Sequence, residues 1–379
     1  MRILLVNQTI GPLFNDVIQS LKSSQDIVVF KSLAYNRTNL LSRFASWSLY
    51  TLHLFFYLLI FSRRFDQILY VTNPPLSIFT AFIVRVPFSI LIYDLYPQAL
   101  NQLSFPNFLF NFVSHIWNYF ANHVYKNSFR LITLTESMAE EILSNSPQSF
   151  DLKSKLCVIP PWADVCLSSV DPSIIHSLNK KYAIDSRTFL VSYTGNLGLT
   201  HPLEHLVSAA KLLYGTSFNR SLKFLIVGSG AKKSQLASLA NSLSLPSRYF
   251  LFSDPLPYRK LPSFLSQVSI SVIALDSLCS KVSLPSKTFN YLACGCPILA
   301  ICSTSSALAE IIQKFNCGYV IDPSGDAAKS IAIILSRLDQ DPVLLKKLSD
   351  NALKASEFFD RKNSSLFSRV LSSATTPYA

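Results

Sequence analysis

The chain has 379 residues, 49% of them apolar and only 15% charged, with a formal net charge of +12. That length suits two domains better than one core, and the apolar content excludes intrinsic disorder, since such a chain more than offsets its folding entropy. The positive balance suits nucleic acid, anionic lipid or phosphorylated substrates, but no zinc-finger spacing, RRM motif or basic-aromatic repeat occurs, so anionic lipid and diphosphates are the better partners.

In chain order, short β-branched runs at residues 3–6, 27–30, 67–71, 88–93, 131–134 and 156–159 predict strands. Helical stretches near 12–22, 39–62, 76–85, 107–126 and 137–144 separate them, the last opening on Ser137 and Glu140 at capping-box spacing. The N-terminus enters its first strand without the basic, apolar and small-residue pattern of a signal peptide. The uncharged stretch between Arg43 and Arg63 meets the length rule for a membrane span. Strands on either side of it should share one sheet, however, so residues 44–62 read as a helix buried or lying at a membrane interface. Residues 105–125, with Phe108, Phe110, Phe112, Trp117, Tyr119 and Phe120, suit either ordinary packing on the sheet or interfacial docking.

A polar linker is expected at 167–187, and then the pattern repeats. Strands at 188–194, 222–227, 249–252, 268–274, 297–301 and 318–321 alternate with helices at 202–213, 231–243, 259–266, 285–294, 305–315 and 326–337. Continuous apolar strands between helices mean parallel sheets covered on both faces. The expected fold is therefore α/β, two doubly wound Rossmann-like domains with a cleft between the carboxyl ends of their sheets. The boundaries are 1–168 and 169–355, with the tail 356–379 packing back on the first domain. The helical tail, 342–372, contains Phe358-Phe359.

Seven cysteines, at 157, 166, 279, 294, 296, 302 and 317, show no zinc spacing and read as buried thiols of a reducing compartment. Glycine is scarce, nine in all with eight beyond position 190, so each one marks a place where backbone geometry counts. Gly195-Asn196-Leu197-Gly198 follows a strand and precedes a helix, an arrangement that lets an anion approach bare backbone and helix amides. Gly228-Ser229-Gly230 repeats it, with Lys232 and Lys233 in the first helical turn, where cations oppose the helix dipole. An anionic ligand would account for them, and so would surface solubility. Pro285-Ser286-Lys287 brings a hydroxyl and a lysine to a third helix start, with Asn290 one turn later on the same face. In the first half, Asp94 ends a strand and suits either acceptor deprotonation or a structural cap, while Gly11 stands in the first strand-helix turn. His201 reads as an ordinary polar cap rather than a ligand contact.

These stretches resemble the family 4 retaining glycosyltransferases of the GT-B fold. The matching segments are Tyr193–Gly198, Phe224–Gly230, Pro285–Pro297, Ala309–Ile312, Cys317-Gly318 and Pro323–Asp326. In the first half Val71–Leu76, Tyr93–Pro97 and Ile159–Asp164 match in the same order. Many members carry two glutamates with seven residues between them at the donor, where this chain has Val282 and Asn290; the Pro-Ser-Lys form follows a polysaccharide-assembly subset. The resemblance implies metal-independent transfer from a nucleotide-diphosphate sugar to a lipid-linked or glycan acceptor, with no cofactor. It assigns donor contacts to Gly11, Gly195, Asn196, Gly228, Gly230, Lys232, Ser286, Lys287 and Asn290, and acceptor chemistry to Asp94. It further implies a cytoplasmic protein, peripheral on the inner face of the membrane, in envelope polysaccharide assembly. A GT-B epimerase or hydrolase, and a binding subunit without catalysis, are the alternatives.

Overall fold

The computed structural model describes residues 1–9, 11–32, 40–98, 107–165, 167–276 and 284–372. Val282, Cys166 and Cys279, singled out above, lie outside the described residues. The chain forms two compact units, one of Met1–Pro161 with the chain from Arg361 onward, the other of Trp162–Asp360.

Each unit carries one six-stranded parallel sheet. In the first, β1 (Arg2–Val6), β2 (Asp26–Val29), β3 (Gln67–Val71), β4 (Phe88–Ile92), β5 (Arg130–Thr133) and β6 (Leu156–Val158) lie in the order β2-β1-β3-β4-β5-β6. In the second, β7 (Thr188–Thr194), β8 (Ser221–Val227), β9 (Phe250–Ser253), β10 (Ile270–Ala274), β11 (Ile298–Ile301) and β12 (Gly318–Ile321) lie in the order β12-β11-β10-β7-β8-β9. Every residue of β3, β4 and β10 is buried, as continuous apolar runs in a doubly covered sheet must be. Each fully buried Leu or Ile there contributes roughly 2–3 kcal/mol. The strand order reverses between β1 and β3 and between β7 and β10, the points where loops part and leave room for a ligand.

Because parallel crossovers are right-handed, the order of the first sheet sorts its helices by face. Helix Pro12–Lys22 leads away from β1 in one direction and packs against the terminal helix Ser364–Ser372. The later crossovers run the other way and put helix Leu40–Phe61, the 3-10 helix Pro75–Ile83 and helix Asn107–Asn127 side by side on the opposite face. Helix Leu40–Phe61 buries Trp47, Tyr50, Leu54 and Leu58, spaced to form one stripe. Since β2 and β3 both pair with β1, the helix joining them stays on one side of any bilayer.

Several local expectations shift for identifiable reasons. The helix expected at 76–85 is the 3-10 helix Pro75–Ile83. Pro74 and Pro75 bring no N–H, and Ser77 Oγ and Thr80 Oγ1 each donate at 2.7 Å to a carbonyl three residues back, tightening the turn. Ser137 is not a cap: helix Glu136–Ser144 is capped by Thr135, whose extended backbone lets its hydroxyl accept from Met138 N at 3.2 Å. The stretch read as a linker contains helix Pro172–Tyr182, capped by Asp171 and anchored through buried Leu178 and Tyr182. Phe359 packs within the second unit, its ring 4.9 Å from Phe289 and 5.8 Å from Phe315. Within the tail, helix Ser364–Ser372 is the part that covers helix Pro12–Lys22.

The cap assignment is testable by urea denaturation. Thr135→Ala should cost about 1 kcal/mol, whereas Ser137→Ala should change stability by less than about 0.5 kcal/mol; the reverse ranking would refute the assignment.

Candidate functional site

At the switch point of the second sheet, two glycine turns are stitched together by backbone alone. Gly195 N donates to Val227 O at 2.9 Å, Leu197 N to Ser229 O at 2.8 Å and Lys232 N to Leu197 O at 3.1 Å. The approach is so close that a Cβ on Gly228 would stand 1.9 Å from Gly195 O, and one on Gly230 2.5 Å from Leu197 O. Gly228 and Gly230 are thus required by turn-on-turn packing. Gly195 differs: at φ +126° its bare Cα faces a side chain, and a Cβ there would meet Lys287 Nζ at 3.1 Å.

Lys287 opens helix Lys287–Ala293. That helix is fixed to the end of β7 by Tyr291, whose hydroxyl lies 2.7 Å from Thr194 Oγ1 and accepts from Thr194 N at 3.2 Å. The clamp sets Lys287 Nζ 3.7 Å from the centre of the Tyr193 ring, a cation–π contact. Burial pulls the Lys287 ammonium down to about 7, against the attraction of the ring beneath it. No carboxylate among the described residues pairs with it.

The Tyr193 hydroxyl donates to Asn196 O at 2.5 Å and lies 2.8 Å from His201 Nδ1. His201 Nδ1 also faces Asn196 O at 2.9 Å, so this histidine fastens the 195–198 turn from behind. Burial, and next the Lys287 charge, holds its pKa down to about 4, leaving it neutral near pH 7. Asn196 and Ser286 are exposed, and the Ser286 hydroxyl makes no capping bond.

Two expected contacts arrive already engaged. Lys232 Nζ pairs with Glu204 at 2.7 Å and donates to His201 O at 3.1 Å, while Lys233 pairs with Asp254 at 2.6 Å. Asn290 is buried, and its Oδ1 accepts from Asp164 N at 2.8 Å, joining helix Lys287–Ala293 to the segment that opens the unit. Among the described residues no group of three His, Cys, Asp or Glu side chains gathers as a metal site.

In the first unit, Asp94 follows β4 beyond the sheet's carboxyl edge. Thr72 Oγ1 accepts from Tyr93 N at 2.9 Å and from Asp94 N at 3.2 Å, which fixes the backbone there. Burial raises the Asp94 carboxyl to about 6, with the Arg43 charge opposing. Gly11 is the N-cap of helix Pro12–Lys22 in extended backbone, and a Cβ there would meet nothing within 4 Å.

Sequence reasoning gave no role to Tyr193, Glu204, Tyr291 or Thr194. Tyr193 stands two residues before Gly195, but an aromatic ending a strand is ordinary core, and only the packing of helix Lys287–Ala293 shows what it holds. Glu204 carried no signal beyond an acidic residue in a first helical turn.

Gly228→Ala should destabilise the protein by about 1–3 kcal/mol through overpacking, read from urea denaturation, and Gly11→Ala by less than about 0.5 kcal/mol. Equal stabilities for the two variants would contradict the turn-on-turn packing.

Comparison with known proteins fits this geometry. Residues 175–355 match the family model described as glycosyl transferases group 1. The Pseudomonas aeruginosa protein named "Probable glycosyltransferase WbjE" is 24% identical over 285 residues, covering 70% of this chain and 65% of that protein. The chain thus spans just under two thirds of the length of this curated relative. Among solved structures, Anabaena Alr3699/HepE in complex with UDP superposes with a TM-score of 0.71 at 14% identity, covering 97% of this chain and 98% of that one. WaaG, a glycosyltransferase involved in lipopolysaccharide biosynthesis, gives 0.66 at 13% identity, covering 99% and 100%. The fold is GT-B, and the family match on the second unit supports a GT-B glycosyltransferase.

Proposed function

We propose that the chain is a retaining glycosyltransferase that moves a sugar from a nucleotide-diphosphate donor to a lipid-linked or glycan acceptor in surface polysaccharide assembly. The observation that carries this reading is Lys287, a half-buried cation on the Tyr193 ring beside the bare Cα of Gly195 and unpaired by any described carboxylate. A diphosphate laid on the Gly195–Gly198 turn would receive the ammonium and the exposed Asn196 and Ser286 side chains. Charge develops on the leaving diphosphate as its bond to the sugar C1 breaks, and a preorganised cation there stabilises the transition state more than the ground state. The solved HepE structure holds UDP, which supports a nucleotide-sugar as co-substrate, with Gly11 leaving an open approach on the first unit.

In this reading the acceptor oxygen attacks the face that the diphosphate leaves, so configuration is retained without a protein nucleophile, metal or cofactor. The acceptor proton passes to the departing phosphate; Asp94, whose raised pKa suits a base near neutrality, is the first unit's candidate for orienting an acceptor hydroxyl. Lys232 assists only after release from Glu204. The Asn290 Oδ1 is occupied by Asp164 N, leaving its Nδ2 as the group to meet a ligand. In this reading the reaction runs on the cytoplasmic side, at the inner face of the membrane.

Calorimetry with UDP and product analysis by NMR test the proposal. Lys287→Met should weaken nucleotide binding and lower transfer by about 10²–10³-fold with unchanged circular dichroism; wild-type turnover would sink it. An inverted anomeric product would refute retention, and tight nucleotide binding without turnover across lipid and glycan acceptors would favour a binding subunit.

The pH dependence has a definite sign. With the free Lys287 pKa near 7, nucleotide binding favours the protonated form, so affinity is full below pH 7 and falls as pH rises above it, with proton uptake on binding. Transfer should fall as pH drops through about 6, where Asp94 protonates, and Asp94→Asn should cost about 10²–10⁴-fold. A pH-independent affinity between 6 and 9 would contradict the assignment to Lys287.

A further inference from the structure

The outer face of the first unit is apolar where a doubly wound sheet ordinarily shows water a polar helix surface. Helix Leu40–Phe61 buries its Trp47–Leu58 stripe yet also exposes Leu49, Leu52, Phe56, Leu59 and Ile60, the last 70% bare. Helix Asn107–Asn127 exposes six large apolar side chains, from Phe108 at 77% through Phe112 and Ile116 to Phe120. Between them the 3-10 helix adds Phe82, half exposed, its ring 6.2 Å from Phe120. Beneath the surface the two long helices are tied by Trp47, Tyr96 and Trp117, with ring centres 6.2 and 5.8 Å apart in turn. The three elements thus present one layer.

Twelve such side chains, each baring on the order of 100 Å², make a surface on the order of 1,000 Å². A soluble monomer rarely leaves more than a few hundred Å² of contiguous apolar surface without a partner.

Charge identifies the partner. Neither long helix contains a carboxylate, and residues 40–130 hold six lysines and arginines against two aspartates. One of the aspartates, Asp66, accepts a hydrogen bond from Arg2 N. The other, Asp94, lies at the carboxyl edge of the sheet. Both helices run antiparallel to the strands, so Arg63 and Arg64 close the first helix, and Lys126 the second, at the sheet's amino edge. Arg85 joins them there, exposed on the rim of a groove of about 570 Å³ whose apolar walls include Phe82, Val84, Val124 and Phe129.

We propose that this face lies flat on an anionic lipid bilayer, its two helices parallel to the membrane plane and its arginines among the headgroups. The apolar stripe runs along both helices rather than gathering at one end, which fixes that orientation. The proposal deepens the membrane-side reading above, and it is measured without turnover, so its failure and that of the donor site are separable.

The test is co-sedimentation of the full chain with vesicles of phosphatidylcholine alone or mixed with phosphatidylglycerol, alongside calorimetric UDP binding in solution. The protein should sediment with the mixed vesicles and at least about tenfold less with the neutral ones. Phe56→Asp with Phe112→Asp, both at exposed positions, should lower partitioning by at least about tenfold without changing UDP binding or circular dichroism. Arg63→Gln, Arg64→Gln and Arg85→Gln together should remove the preference for anionic vesicles. Wild-type protein left in the supernatant, or a double aspartate variant that sediments like wild type, would overturn the proposal. So would a wild-type dimer in light scattering that the double variant dissolves, since the face would then cover a second copy.

Discussion

In the second unit the carbonyl of Gly195 occupies the space where any residue but glycine at 228 would put its Cβ. This backbone-on-backbone approach sets the geometry of the candidate site. It locks the turn after β7 to the turn after β8 and places the bare Cα of Gly195 at the switch point between β7 and β10. Helix Lys287–Ala293 then needs only the Tyr291–Thr194 clamp to set a lysine against that Cα. Rigidity of this kind matters for electrostatic catalysis, because a cation that must reorganise during reaction loses much of its benefit.

The fold was legible because the two sheets are buried on both faces. All strands near their expected positions are short runs of β-branched and aliphatic residues, and the alternation with helices leaves few topologies once connections must be right-handed. What escaped were decisions made by hydrogen bonds that compete locally. Two prolines and two hydroxyls turned one helix into a 3-10 helix, and a threonine outside the expected boundary took the cap from Ser137. The segment read as a linker was polar because helix Pro172–Tyr182 buries only two side chains on its inner face.

The candidate site was legible in its glycines and in Lys287, which glycine scarcity and turn position single out. Its electrostatics were not. Whether a lysine is free or paired depends on a residue distant in sequence: Glu204 for Lys232, Asp254 for Lys233, and no described carboxylate for Lys287. Asn290 likewise gained a structural duty from Asp164, 126 positions away. Sequence spacing reports which groups share a helix face, not which are already satisfied across a sheet.

The Glu204–Lys232 pair has a consequence for ion competition. With Lys232 matched by a carboxylate, His201 neutral and Lys287 only partly protonated near pH 7, the empty turn carries little net field. A small anion such as chloride, which binds largely through charge, would gain little there. On the proposed donor reading, a ligand that makes several directional contacts would raise the affinity of Lys287 for its proton and so summon the charge that holds it. The site would then acquire its positive charge from its occupant, and discrimination against common small anions would cost no extra residue.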